Sequence, residues 1–329
     1  MRQRSSTTHP VCRSLLQKAV RRGDVALTRR LTEHLLTVGD RTWLRQRAAV
    51  IVFEECWPLG ATLKTLTRDF ATVSAVLEHI AASAKYKDAA GLGAMAYAFA
   101  EGETTVCSDP TFDHHIRIIK QAIERPDAFW SWIEGQVHSD DQQHLVEAAR
   151  RSHRRGGWPW DRAFMQAAAY LGVIAALPKH HQLPTVPLDC PVWVGIDKHT
   201  PTGKIALRQV ATQLHVPPRQ LAWASFYFES ALVNVDLSGS WFRRETDWRL
   251  RQVGLVYDEA RDLWQRARPL VYELLAPESE VLEEHLALDA SLPNDCQESE
   301  RFVPEGRQRV INYSEQRFLI PPEQLAFEL

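Results

Sequence analysis

Cysteine is sparse and scattered. The 329-residue chain holds five: Cys12, Cys56, Cys107, Cys190 and Cys296. No two are close, so neither a disulfide scaffold nor the paired spacing of a zinc site is written here. They read as reduced thiols of a cytoplasmic protein. No apolar run approaches about 18 residues, which argues against a membrane-spanning helix. The opening Met1-Arg-Gln-Arg-Ser carries positive charge with no apolar stretch behind it, unlike a secretory signal. Alternating apolar and polar residues are almost absent, so a sheet is not expected. Dinucleotide-binding glycines, a Gly-x-Ser-x-Gly elbow and a His-Glu-x-x-His helix are all missing.

What is present is an ordinary globular mixture, 45% hydrophobic and 24% charged, with a formal charge of −2. The charge is uneven. Residues 1–60 carry 11 Lys/Arg against 5 Asp/Glu, and residues 270–329 carry 4 against 13. This gives a basic face and an acidic tail suited to a basic partner or to a second copy, or else two solvated segments.

Apolar residues recur at three- and four-residue steps along most of the chain, which predicts an all-α fold. Residues 1–11 read as a flexible leader and 12–177 as one helical domain. Ser14–Val38 predicts a helical hairpin: Arg21 and Arg22 suit a helix C-terminus, Gly23 the turn, and Asp24 the next N-cap. A third helix is expected over Thr42–Cys56. Further helices are expected over Thr72–Ser83, Ala89–Ala100, His114–Glu124, Gln142–His153 and Asp161–Ala176. Residues 178–201 form a proline-rich connection with a short extended piece at Val192–Val194. Residues 202–276 return to helix on the same core, over Thr202–Leu214, Pro217–Val235 and Asp247–Leu275. Residues 277–329 read as an acidic, partly ordered tail.

The stretch Ser14-Leu-Leu-Gln-Lys-Ala-Val-Arg-Arg-Gly-Asp24, followed by Trp43-Leu-Arg45-x-Arg47 and Val50-Ile-Val-Phe-Glu54-Glu55-Cys56, resembles the C-terminal helical domain of the clamp-loader-related MgsA/RarA/WHIP ATPases. Glu54-Glu55-Cys56-Trp57 departs from that family's acidic ending. Asp197-Lys-His199-Thr200-Pro-Thr-Gly-Lys204 resembles a matching stretch in stand-alone relatives of that domain, with Phe226-Tyr-Phe-Glu229 in the place of an aromatic–acid pair. The resemblance covers residues 12–60 well and the remainder loosely. It implies a clamp-loader-collar-like bundle, a homo-oligomer, and a setting in DNA replication or recombination among the proteins of those processes. The similar region begins near residue 12, which leaves no ATPase domain ahead of it. Thr202-Gly203-Lys204-Ile205 is no phosphate loop, since Lys198 stands where a glycine is needed and Ile205 where Ser or Thr is needed. No cofactor is implied.

Two polar groupings compete for function. Asp197, His199, Thr200 and Lys204, with Glu229 from a nearby helix, could form a metal or phosphate pocket. Equally, Asp197 and Thr200 could simply cap a helix that has Pro201 at its first position. Arg150, Arg151, Arg154 and Arg155 with Trp158 and Trp160 form the best DNA-binding candidate. Arginines neutralise phosphates and an exposed indole stacks on an unpaired base. Arg21 and Arg22, with Arg29, Arg30, Arg45 and Arg47, either extend that basic surface or serve helix dipoles and salt bridges. Asp113-His114-His115 and His180-His181 are weaker ligand candidates, because adjacent helical positions diverge by about 100°. Glu54-Glu55 as a catalytic pair has no further support. The function read from all this is a self-assembling, non-ATPase accessory protein of DNA replication, recombination or mobile-element maintenance. The alternatives are a metal- or phosphate-dependent enzyme built on Asp197, His199, Lys204 and Glu229, and a phage or plasmid protein that binds a host factor.

Overall fold

A computed structural model describes residues 5–65, 70–155, 158–174 and 186–290. Thirteen α-helices and no strand occur among the described residues, so the fold is all-α. The opening hairpin is α1 (Ser5–Arg22) and α2 (Val25–Thr37). Gly23 takes φ 82, a left-handed value that glycine adopts freely, and the Asp24 side chain accepts from the Leu27 N–H. Residues 5–11, expected within a flexible leader, belong to α1, and residues 1–4 lie outside the described residues. Next come α3 (Arg41–Glu55), a 3-10 segment (Trp57–Thr65), α4 (Phe70–Ala82) and α5 (Asp88–Ala100).

α5 is the axle of the molecule. It packs on α6 (Pro110–Glu124), α9 (Pro159–Ile174) and α12 (Trp241–Arg251). Its composition, Asp-Ala-Ala-Gly-Leu-Gly-Ala-Met, allows that crowding. A Cβ on Gly91 would stand 2.3 Å from the Phe242 backbone nitrogen, and one on Gly93 would stand 2.9 Å from the Ala163 carbonyl oxygen. Small residues here let helix backbones meet. Asp88, at the start of α5, accepts the Trp241 N–H at 2.7 Å and so caps α12 from a different helix. α7 (Pro126–Glu134) and α8 (Asp140–Arg155) complete this half.

The second half departs from expectation in four places. Val192–Gly195 is a 3-10 turn rather than an extended piece. α10 (Pro201–Gln213) forms as expected, but the helix after Pro217 ends early: α11 (Pro218–Ser225) loosens into a π-turn over Phe226–Ser230. The helix expected over Asp247–Leu275 is broken after α12 by Gly254 at φ 75, and α13 (Tyr257–Ala290) follows. α13 also runs through Pro269 and Pro277 into the region expected to be tail. Both prolines are exposed, so water can serve the carbonyls that their missing N–H groups leave free. Residues 291–329 and the His180-His181 pair lie outside the described residues. Buried apolar side chains from Val11 to Leu286 form one contiguous core, and none of the four described cysteines is in a disulfide.

Candidate nucleic-acid interface and the ionic core behind it

Lys18, Arg21 and Arg22 sit at i, i+3 and i+4 on α1 and therefore share a face. That face points inward. Arg21 is 6% exposed and Arg22 3%. The Arg21 guanidinium donates to Glu55 at 2.7 Å, to Glu54 at 2.8 Å and to the Ser230 carbonyl at 2.5 Å. Arg22 donates to the Glu229 carboxylate at 2.6 Å, to the Glu229 carbonyl at 2.7 Å and to the Asp189 carbonyl at 2.5 Å. Lys18 donates to Asp197 at 2.6 Å and to Ser14 at 2.8 Å.

The network continues outward. Lys87 donates to Glu55 at 2.9 Å, and Arg47 joins Glu54 to Asp161. Trp264 and Arg268 of α13 occupy the second oxygen of Glu229. A charge is tolerated inside a protein when it is paired and hydrogen-bonded, and here carboxylates from three segments (α3, the π-turn and the turn ahead of α10) meet the cations of α1. Burial would raise the Glu55 carboxyl, but Arg21 and Lys87 overcome it and hold it down to about 2. Burial would likewise raise Asp197, which Lys18 and His199 hold far below the usual carboxylate range. Arg21 and Arg22 are thus structural cations, and the basic surface expected of them does not form. The salt-bridge alternative is what the fold contains. Arg29 is also paired, with Glu78.

The Asp197–Lys204 stretch starts a helix. Asp197 accepts the His199 N–H at 2.8 Å, and the Thr200 hydroxyl accepts the Gly203 N–H at 3.1 Å while donating to the Asp197 carbonyl. Pro201 takes the first helical position. A Cβ on Gly203 would stand 2.1 Å from the Asp197 carbonyl oxygen, so the motif's glycine serves the tight turn. The His199 side chain is 64% exposed, with Nδ1 3.2 Å from Asp197. Lys204 lies exposed on α10, and both Glu229 oxygens are committed elsewhere. Asp197, His199 and Thr200 therefore come together, while Lys204 and Glu229 do not join them. Among the described residues no group of three or more His, Cys, Asp or Glu side chains could hold a metal ion. His115 is buried with Nδ1 2.5 Å from the Tyr170 hydroxyl, and burial pushes its pKa down to about 3.

The surface cations stand on α8. Arg150 pairs with Glu134, and Arg151 lies 3.8 Å from Glu147. Arg154 and Arg155 are exposed, and no ion pair joins either to a described carboxylate. Trp158 follows at 71% exposed and Trp160 at 37%, so neither is a core residue.

Trp160 connects this corner to a feature that residue spacing does not announce. Its ring lies 4.8 Å from Tyr97, and the Arg249 guanidinium lies 5.6 Å from it. Arg249 is 5.2 Å from the Trp223 ring, and the Lys198 ammonium sits 3.4 Å from Trp223 and 4.1 Å from Phe226. The His199 ring is 6.3 Å from Phe226. Behind them, Tyr227 donates to Glu245, which also pairs with Arg249. Burial lowers the Lys198 pKa to about 8, opposed only in part by Asp197 and Glu245. The one sequence signal for this row is Trp223 and Phe226 three apart on a helix. Lys198 and Arg249 arrive from distant segments.

Compared with protein-family models, with curated proteins and with solved structures, the chain matches none. No helix among the described residues is long and apolar enough to cross a membrane.

Proposed function

We propose that this protein is a self-assembling, non-ATPase helical accessory factor that binds nucleic acid in DNA replication, recombination or mobile-element maintenance. In this reading the helices form a clamp-loader-collar-like bundle of the MgsA/RarA/WHIP type, stripped of its motor. One observation carries the binding half: Arg154 and Arg155 stand exposed with no ion-pair partner among the described residues, and the exposed Trp158 follows them in sequence. A guanidinium free of a protein carboxylate is available to a phosphate, and each phosphate neutralised releases condensed counterions. Assembly draws support from α13, where Leu274 and Val281 are 44% and 57% exposed and stand two turns apart on one stripe.

The test is duplex-DNA binding by fluorescence anisotropy at two salt concentrations. Replacing Arg154 and Arg155 with Ala is expected to weaken binding and flatten its salt dependence by about 0.9 log units per lost phosphate contact. Unchanged binding would remove the interface. For assembly, sedimentation should show a multimer at micromolar concentration that Leu274→Glu with Val281→Glu dissociates. A strictly monomeric wild type would end that half.

A second reading rests on the Asp197–His199 pair. A buried carboxylate facing Nδ1 leaves Nε2 towards solvent, the arrangement of a general base acting on a phosphate ester or similar substrate. Hydrolysis of a chromogenic phosphodiester that is lost in His199→Ala would favour it.

A further inference from the structure

The alternation of cations and rings beyond Trp160 carries more than the arginine corner does. The order along the row is Trp160, Arg249, Trp223, Lys198, Phe226 and His199, with consecutive members 3.4–6.3 Å apart; the two ends are exposed and the four between them half-buried. We propose that this row is a binding track for single-stranded nucleic acid, with unpaired bases stacking on its rings and the Lys198 ammonium meeting a phosphate. This deepens the reading above, on which it rests.

The chemistry favours a single strand over a duplex. Bases inside a duplex show only their edges, because their faces are covered by the neighbouring pairs, whereas an unpaired base offers its whole face to an indole. It also favours nucleic acid over protein, since lysine is depleted from protein interfaces, while a phosphate chain needs cations spaced along it. Trp160, the first member of the row, follows Trp158 by two positions and Arg155 by five in the sequence.

Lys198 has a definite part in this. Its ammonium lies over the Trp223 ring, 3.4 Å from the centroid, and Tyr227 stacks against the same indole at 5.7 Å. An ammonium on an aromatic face is held by the ring quadrupole, a weaker partner than a phosphate. When a strand arrives, Lys198 swings to a phosphate and the vacated Trp223 face receives a base. The long, flexible lysine stem makes this a side-chain motion with no change in fold.

The experiment uses a 16-nucleotide thymidine oligomer, at the upper end of site sizes of roughly 4–16 nucleotides, beside a 16-base-pair duplex. The full chain should bind the oligomer about tenfold or more tightly than the duplex, as stacking on one or more bases requires. Trp160→Ala should weaken oligomer binding about tenfold with the salt slope unchanged, and Trp160→Phe should restore most of it. Lys198→Gln should lower the single-strand salt slope by about 0.7, and Lys198→Arg should keep it. Duplex binding should stay within about twofold in the two Lys198 variants, since neither changes Arg154 or Arg155.

Equal wild-type affinity for oligomer and duplex overturns the track, as do Trp160→Ala and Lys198→Gln variants that bind the oligomer like wild type. In both cases a duplex affinity that still depends on Arg154 and Arg155 leaves the broader reading standing. Absence of binding to either probe overturns both. A Lys198→Gln variant with altered sedimentation mass and unaltered oligomer affinity makes the row a contact between copies, and that also overturns the proposal.

Discussion

Glu55 is 1% exposed and stands between two buried cations, Arg21 and Lys87, whose side chains are 7% and 1% exposed. Replacing it by Gln keeps the shape and removes the charge. Breaking a buried pair by removing one partner costs about 3–5 kcal/mol, because the other charge is left uncompensated. Two features set the loss near the lower end. Arg21 retains Glu54 and the Ser230 carbonyl, and Lys87, whose pKa burial already lowers, can shed its proton. The expected cost is about 3 kcal/mol, read by urea denaturation as a lower midpoint at unchanged slope. Combining Glu55→Gln with Lys87→Met removes both charges of one pair. The double variant should then cost about 1–3 kcal/mol less than the sum of the singles.

The acid limb gives a second reading of the same group. Its folded pKa is held at about 2, below the ordinary 4.5. The stability it supplies is therefore fully present above pH 4.5 and is lost as pH falls from there towards 2. Glu55→Gln should accordingly show a shallower loss of stability across that window. A cost under about 1 kcal/mol, or strictly additive singles, would refute the claim that this carboxylate holds Arg21 and Lys87 in the buried network.

Other outcomes follow from single contacts. Gly91→Ala ordinarily gains about 1 kcal/mol of helix propensity, but here its Cβ meets rigid backbone at 2.3 Å. A net loss of about 2–3 kcal/mol is expected in thermal unfolding, and a rise in Tm would show that α5 and α12 do not touch there. Thr200→Ala removes the cap of α10 and should cost about 1 kcal/mol by the same measurement; no change would count against the cap. Binding of the thymidine oligomer should weaken as pH rises through about 8, where Lys198 loses its proton among Asp197, Glu245, Arg249, Lys18 and His199. Duplex binding should stay level, and a parallel fall in both would refute the assignment to Lys198.

Turn and cap chemistry was readable because it is local. Gly23-Asp24 and Thr200-Pro201 each need only their immediate neighbours to declare a helix boundary, and both boundaries stand where those residues put them. The break at Gly254 was not readable, because Leu250, Val253 and Val256 keep helical spacing across it. Pro277 misled for the opposite reason: a proline breaks a helix less when its face of the helix is wet. The inward turn of Arg21 and Arg22 was out of reach, since their carboxylates come from Glu55 and Glu229, positions 34 and 207 residues away. The aromatic–cation row was invisible for the same reason, with Lys198, Trp223 and Arg249 drawn from three segments.

The long reach of α1 has a consequence for synthesis. Lys18 finds its partner 179 residues later, and Arg22 finds its own 207 residues later. At translation rates of roughly 5–20 residues per second, that interval is on the order of ten to forty seconds. Throughout it the leading helix emerges with three cations whose counter-charges are not all yet made. Folding of the N-terminal hairpin on the ribosome is thus provisional. The ionic network is complete only when the π-turn around Glu229 has left the exit tunnel, and a message truncated before that codon yields a chain whose Arg22 lacks its carboxylate.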